Sequence, residues 1–224
     1  MKMEKKSKKL RLYFQLNYAI LIGLLPIFWI GNSWKTSQAA PQKEQHQLTD
    51  LELEHAASKL LTKSQAYFEK GEYWKAAQDM ILIMDYYPDY SRLDEVIYTL
   101  GNCLFQMELF KASEKIYRYL ILNIRNSSFV PYALYGLERI YYETKQYERA
   151  IEYFHLLRKR FPNITVDEGI YYYGGLSYFY LEDYDNAILI LSAIDNKSEY
   201  WGYALYTRSL AYFKKKISIM LLQT

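Results

Sequence analysis

Cysteine occurs once in 224 residues, proline five times and glycine nine times. The lone Cys103 rules out an intramolecular disulfide, so packing must hold the fold. With so few turn formers, and no useful stretch of strict apolar and polar alternation, a sheet architecture is excluded. Histidine is just as scarce: His46, His55 and His155 fall in the polar linker, the first helix and the second helix of the third unit, and none has a second histidine at ligand spacing, so no metal is expected. The Gly174, Gly175 pair has no strand before it and is not a phosphate loop. No nucleophile, base and oxyanion donor stand together, so neither catalysis nor a cofactor is expected.

The basic excess is local. Lys2, Lys5, Lys6, Lys8, Lys9, Arg11 and Lys35 precede residue 40 beside one acid, Glu4, leaving 21 basic against 24 acidic side chains from residue 40 onward, a net of −3. The formal +3 of the whole chain therefore belongs to its first residues and does not indicate nucleic-acid binding. Those basic residues precede an apolar run of thirteen, Tyr18 to Ile30, the pattern of an export signal. Residues 1–39 are expected to be a signal peptide cleaved near Ala39, the alternative being an uncleaved anchor over residues 10–31 in the inner membrane. Either outcome puts the remainder outside the cytoplasm, with membrane contact confined to this segment. No Cys follows the run, which excludes a lipid anchor there. Residues 40–49 are polar and Gln-rich, a linker.

What is abundant is aromatic and periodic. The chain has 26 Tyr and 10 Phe, and Tyr73, Phe110, Tyr147 and Tyr184 recur every 37 residues. Small residues stand three positions later (Ala76, Ser113, Ala150, Ala187) and large ones six earlier (Tyr67, Leu104, Tyr141, Tyr178). Each unit reads as two helices. Gly71 suits the turn in "YFEKGEY"; "LFQMELF", "YYETKQY" and "YFYLEDY" lack that Gly, so their turns should be tighter or slightly strained. Pro88 and Pro162 should stop the second helix of their units. Thr49 and Glu52 form a capping box, starting ordered helix near Asp50.

This order of small residue, aromatic, alanine and proline resembles the tetratricopeptide repeat (TPR) over residues 57 to about 213. Gly101, Gly175 and Ser64 fill the small position of the first helix; Glu138 departs from it. The longer period is similar to that of a bacterial cell-envelope subgroup, including the outer-membrane barrel-assembly lipoprotein and the Tol-Pal coordinator. The resemblance implies an all-α, right-handed α-solenoid over residues 50–216, with about four helix-turn-helix units and a partial fifth. Residues 217–224 are expected to be irregular, since their pattern offers neither a second helix nor a polar cap.

The resemblance also implies that first helices line a concave groove. Residues three before and four after the small position then place Tyr98, Phe105, Tyr135, Tyr142, Tyr172, Phe179 and Tyr206 along it, with Asn102 and Arg139 between them. Tyr and Phe bring large contact area at little rotamer cost, the chemistry of a binding hot spot. The row of Phe68, Phe105, Tyr142 and Phe179 reads equally well as packing between units. The functional expectation is a protein-interaction scaffold of the cell envelope holding a protein or peptide partner. Alternatives are a self-assembling structural protein, that is a homo-oligomer, or a module stacking glycan or peptidoglycan on its rings.

Overall fold

A computed structural model describes residues 49–162 and 168–222, without the side chains of Ile219 and Leu222. The expected signal segment 1–39 and linker, up to residue 48, lie outside the described residues. The chain runs through α1 (Asp50–Glu69), α2 (Tyr73–Tyr86), α3 (Leu93–Gln106), α4 (Phe110–Asn123), α5 (Val130–Glu143), α6 (Tyr147–Arg160), α7 (Gly169–Tyr180), α8 (Tyr184–Leu191) and α9 (Trp201–Leu222). Among the described residues all regular structure is helical. It is an α-solenoid of four helical pairs and a fifth first helix.

Local chemistry accounts for the boundaries. The Glu52 amide donates to Thr49 Oγ1 at 3.3 Å while the Thr49 amide donates to Glu52 Oε2 at 2.8 Å, closing the capping box that starts α1. Within each pair the turn is one motif used four times. The amides of Glu72, Leu109, Gln146 and Asp183 donate to the carbonyls of Tyr67, Leu104, Tyr141 and Tyr178, five residues back, at 2.8–3.0 Å. That closure needs a left-handed residue just before the donor. Gly71 supplies it at φ 74°, but Glu108, Lys145 and Glu182 adopt φ 58°, 59° and 62°, which confirms the expected strain. Pro88 and Pro162 fall just past the ends of α2 and α6.

Small residues set how closely the helices approach. Tyr117 of α4 is buried between two glycines: a Cβ on Gly101 would lie 2.4 Å from its Cε1, and one on Gly136 2.5 Å from its Cε2. Gly175 makes the same allowance for Leu191, and Gly174 for Phe154. Cys103 is fully buried in this core, and burial pushes its thiol up to about 12, so it acts as a small apolar residue. Glu138, at the place held elsewhere by Ser64, Gly101 and Gly175, is also completely buried.

Each helix packs on the next, and the non-sequential contacts of substance join α3 to α5, α5 to α7 and α7 to α9. First helices therefore form the inner layer on which a groove can form. At the end of the array the expectation of irregular chain from 217 is corrected, because α9 continues to Leu222. Nothing between Phe213 and Leu222 breaks a helix, and Lys215 pairs with Asp185 of α8. Tyr206, Phe213, Met220 and Leu221 remain exposed along it.

Candidate functional site

The inner layer carries a cleft of about 270 Å³ between α3 and α5, with Phe68 of α1 also in its lining. Its lining includes five of the nine expected groove residues, Tyr98, Asn102, Phe105, Tyr135 and Arg139. Tyr98 projects from the middle of α3 and stacks on Phe129 at 5.2 Å between ring centroids and an interplanar angle of 24°. Tyr132 stands 6.0 Å from Tyr98 and forms an exposed rim. Burial raises the Tyr98 hydroxyl above its usual range, so it serves as a neutral hydrogen-bonding group.

Two of these residues are not accessible hot spots. Tyr135 is only 7% exposed and Phe105 only 9%, because Tyr135 packs with Phe154 of α6 and Ile170 and Tyr173 of α7, and Phe105 packs edge-on against Phe110 of α4. They form wall and floor. Room for the Tyr135 hydroxyl comes from Gly169, where a Cβ would lie 2.0 Å from it. Asn102 is held between two tyrosines: the Tyr117 hydroxyl donates to its Oδ1 at 2.5 Å, and its amide end faces the Tyr98 hydroxyl.

Arg139 is the only formal charge in the lining. Its guanidinium carbon sits 4.4 Å from the Phe105 ring centroid, 5.4 Å from Tyr173 and 5.7 Å from Tyr135, a cation–π cage. Its Nε is buried with no hydrogen-bond partner.

The other expected residues lie further along. Tyr142 packs 5.1 Å from Tyr173 and 6.2 Å from Tyr180. Burial, followed by the neighbouring tyrosines, raises its hydroxyl strongly. Tyr172 contacts Tyr200 at 5.1 Å, Phe179 contacts Tyr184 at 5.8 Å, and Tyr206 is 66% exposed on α9. The structure thus divides the expected continuous ladder into one enclosed cleft and a more open aromatic surface. Sequence reasoning missed Tyr132 and Tyr117. The first was detectable as the residue three before Tyr135 on one helical face; the second reaches the cleft from a second helix, which no row of first-helix positions contains.

No family model and no curated protein matches the chain. Solved structures do. A tetratricopeptide repeat protein from Parabacteroides merdae aligns over 72% of this chain and 61% of its own length, at 18% identity and a TM-score of 0.60. MamA from Desulfovibrio magneticus RS-1 aligns over 75% and 95%, at 17% identity and 0.54. A kinesin light chain-type protein from Podospora anserina, with nearly identical TPR-like repeats, aligns over 76% and 92%, at 8% identity and 0.58. At these identities the likeness is one of fold. The chain has the fold of a TPR solenoid.

Proposed function

We propose that this chain is a non-catalytic interaction scaffold of the bacterial cell envelope, which holds a partner protein on its aromatic inner surface. The observation that carries the reading is the α3–α5 cleft, where rings, an oriented amide and one guanidinium converge. Such a set suits recognition, and solenoids of this kind present extended concave surfaces for it. The envelope location rests on the basic leader and the apolar run after it. A C-terminal alkaline phosphatase fusion to the full chain should be active, since that enzyme matures only outside the cytoplasm; an inactive, intact fusion would sink the location.

For the binding role, affinity capture from envelope extract should compare the full chain with a Tyr98→Ser, Tyr132→Ser variant of equal helicity by circular dichroism. Loss of one specific protein from the variant supports the cleft. Identical captures with both baits would move binding elsewhere.

A second reading, self-assembly, is favoured by one feature. Tyr203, Tyr206, Phe213 and Met220 expose large apolar surface along α9.

A further inference from the structure

Charge is not shared evenly along the array. From residue 40 to residue 199 there are 17 basic and 24 acidic side chains, a net of −7. α9 has Arg208, Lys214, Lys215 and Lys216 and no acid, a net of +4. An acidic solenoid therefore carries one cationic helix.

That helix is also two-faced. Ala204, Thr207 and Ala211 are buried at intervals of three and four residues, the stripe with which α9 packs on α7 and α8. Among the described side chains none after Ala211 is buried. Phe213, Ile217 and Met220, again at intervals of four and three, are exposed on the side turned away from the buried stripe. At 3.6 residues per turn, Lys214 falls on one flank of this row and Lys216 on the other. Lys215 falls on the array side and pairs with Asp185 of α8. Leu191 at the end of α8 clusters with Ala204 near the start of α9, so the two helices run antiparallel and the residues after Lys215 project past α8.

An apolar row flanked by lysines suits a bilayer surface. Rings and methyl groups enter the boundary between headgroups and acyl chains, while the lysine stems turn up to keep their ammonium groups among the phosphates. Such a helix lies on the membrane; none among the described residues is long and apolar enough to cross one. The first half of α9, with Tyr203 and Tyr206, has no lysine and suits a second copy. On the second half, two copies meeting face to face would set Lys214 and Lys216 of each against those of the other, with no acid on α9 to neutralise them. Anionic headgroups supply that neutralisation.

We infer that residues 213–221 of α9 dock on the surface of an anionic lipid bilayer, with Phe213, Ile217 and Met220 in the headgroup boundary and Lys214 and Lys216 on its phosphates. This adds a membrane contact to the one expected of the leader, and it does not rest on the groove.

The test uses the full chain with Met220→Cys carrying an environment-sensitive dye; Cys103 is buried and does not compete for the label. A second sample carries the dye at Tyr132→Cys on the groove rim. Vesicles are of phosphatidylcholine alone or mixed equally with phosphatidylglycerol. The leader is present in every sample, so dye emission is read in place of total binding. On the mixed vesicles, emission at residue 220 should rise about threefold and shift to the blue, decline as salt is added, and stay near its aqueous value on the neutral vesicles. Lys214→Gln with Lys216→Gln should abolish the rise, as should Phe213→Ser with Ile217→Ser, and the dye at residue 132 should not respond. Circular dichroism checks each variant, and the glutamine pair decides the matter if the serine pair loses helix.

An equal rise on both kinds of vesicle, or one that survives the glutamine pair, overturns the anionic surface as the occupant. An equal response at residue 132 means that the leader alone draws the chain to lipid, and overturns the docking of α9. A rise without vesicles that grows with protein concentration gives the face to a second copy and overturns the inference, as does no rise with either vesicle.

Discussion

A carboxyl group with no partner, shut inside a helix pair, ties stability to pH. Glu138 has both oxygens buried without a hydrogen bond, and desolvation raises its affinity for a proton far above that of an exposed Glu, which titrates near 4.3. The folded state then holds a proton that the unfolded state has released, so stability falls as pH rises above about 4.3 and levels off past the raised folded value. Within that window the slope is about 1.4 kcal/mol per pH unit. Glu138→Gln should remove this component. Chemical denaturation at pH 5 and pH 7.5 should show the wild type losing more stability over the interval than the variant; equal losses would mean that Glu138 is solvated. The anomaly is legible in the sequence, since Glu138 stands where Ser64, Gly101 and Gly175 stand in the other units. Its consequence is not, because a departure from a repeat pattern reads equally as a position that faces water.

At the scale of helices and turns, the four intra-unit turns make one comparison. Gly71 takes the left-handed conformation without steric cost, whereas Lys145 takes it at φ 59° with a side chain. Lys145→Gly should stabilise by about 1 kcal/mol and Gly71→Ala should destabilise by at least as much, read from urea midpoints. A destabilised Lys145→Gly would mean that the Lys side chain contributes more than the turn costs. The helix contacts run the other way. Alanine is the better helix former, but Gly136→Ala would press a methyl group into Tyr117 and should cost about 1 to 3 kcal/mol by the same measurement. The helices themselves were legible: period, cap and turn residues placed α1 to α8, since each boundary is set by chemistry a few residues away. The end of α9 was not, because the weak repeat pattern beyond Phe213 says nothing about whether a helix simply continues.

Across the described molecule, first helices stack from α3 to α9, and α9 carries apolar side chains into solvent. Burying that face between two copies would stabilise a dimer. Sedimentation of the wild type should rise with concentration, and Tyr206→Lys with Phe213→Lys should abolish the rise while helicity is kept; a concentration-independent wild type would remove the self-assembly reading. The groove was half legible at this scale. Asn102 and Arg139 were placed in it by the resemblance together with the repeat register, but which rings are wall and which are rim depends on how neighbouring helices such as α4 and α7 close over Phe105 and Tyr135, which no single unit encodes. The lone Cys103, sealed in α3 beside Asn102, turns the array into its own reporter. A thiol reagent can reach it only when the second unit opens, so its labelling rate under native conditions measures how often that unit breathes. A partner seated in the cleft should slow the labelling in proportion to its occupancy, giving a titration of binding that needs no tag on either protein.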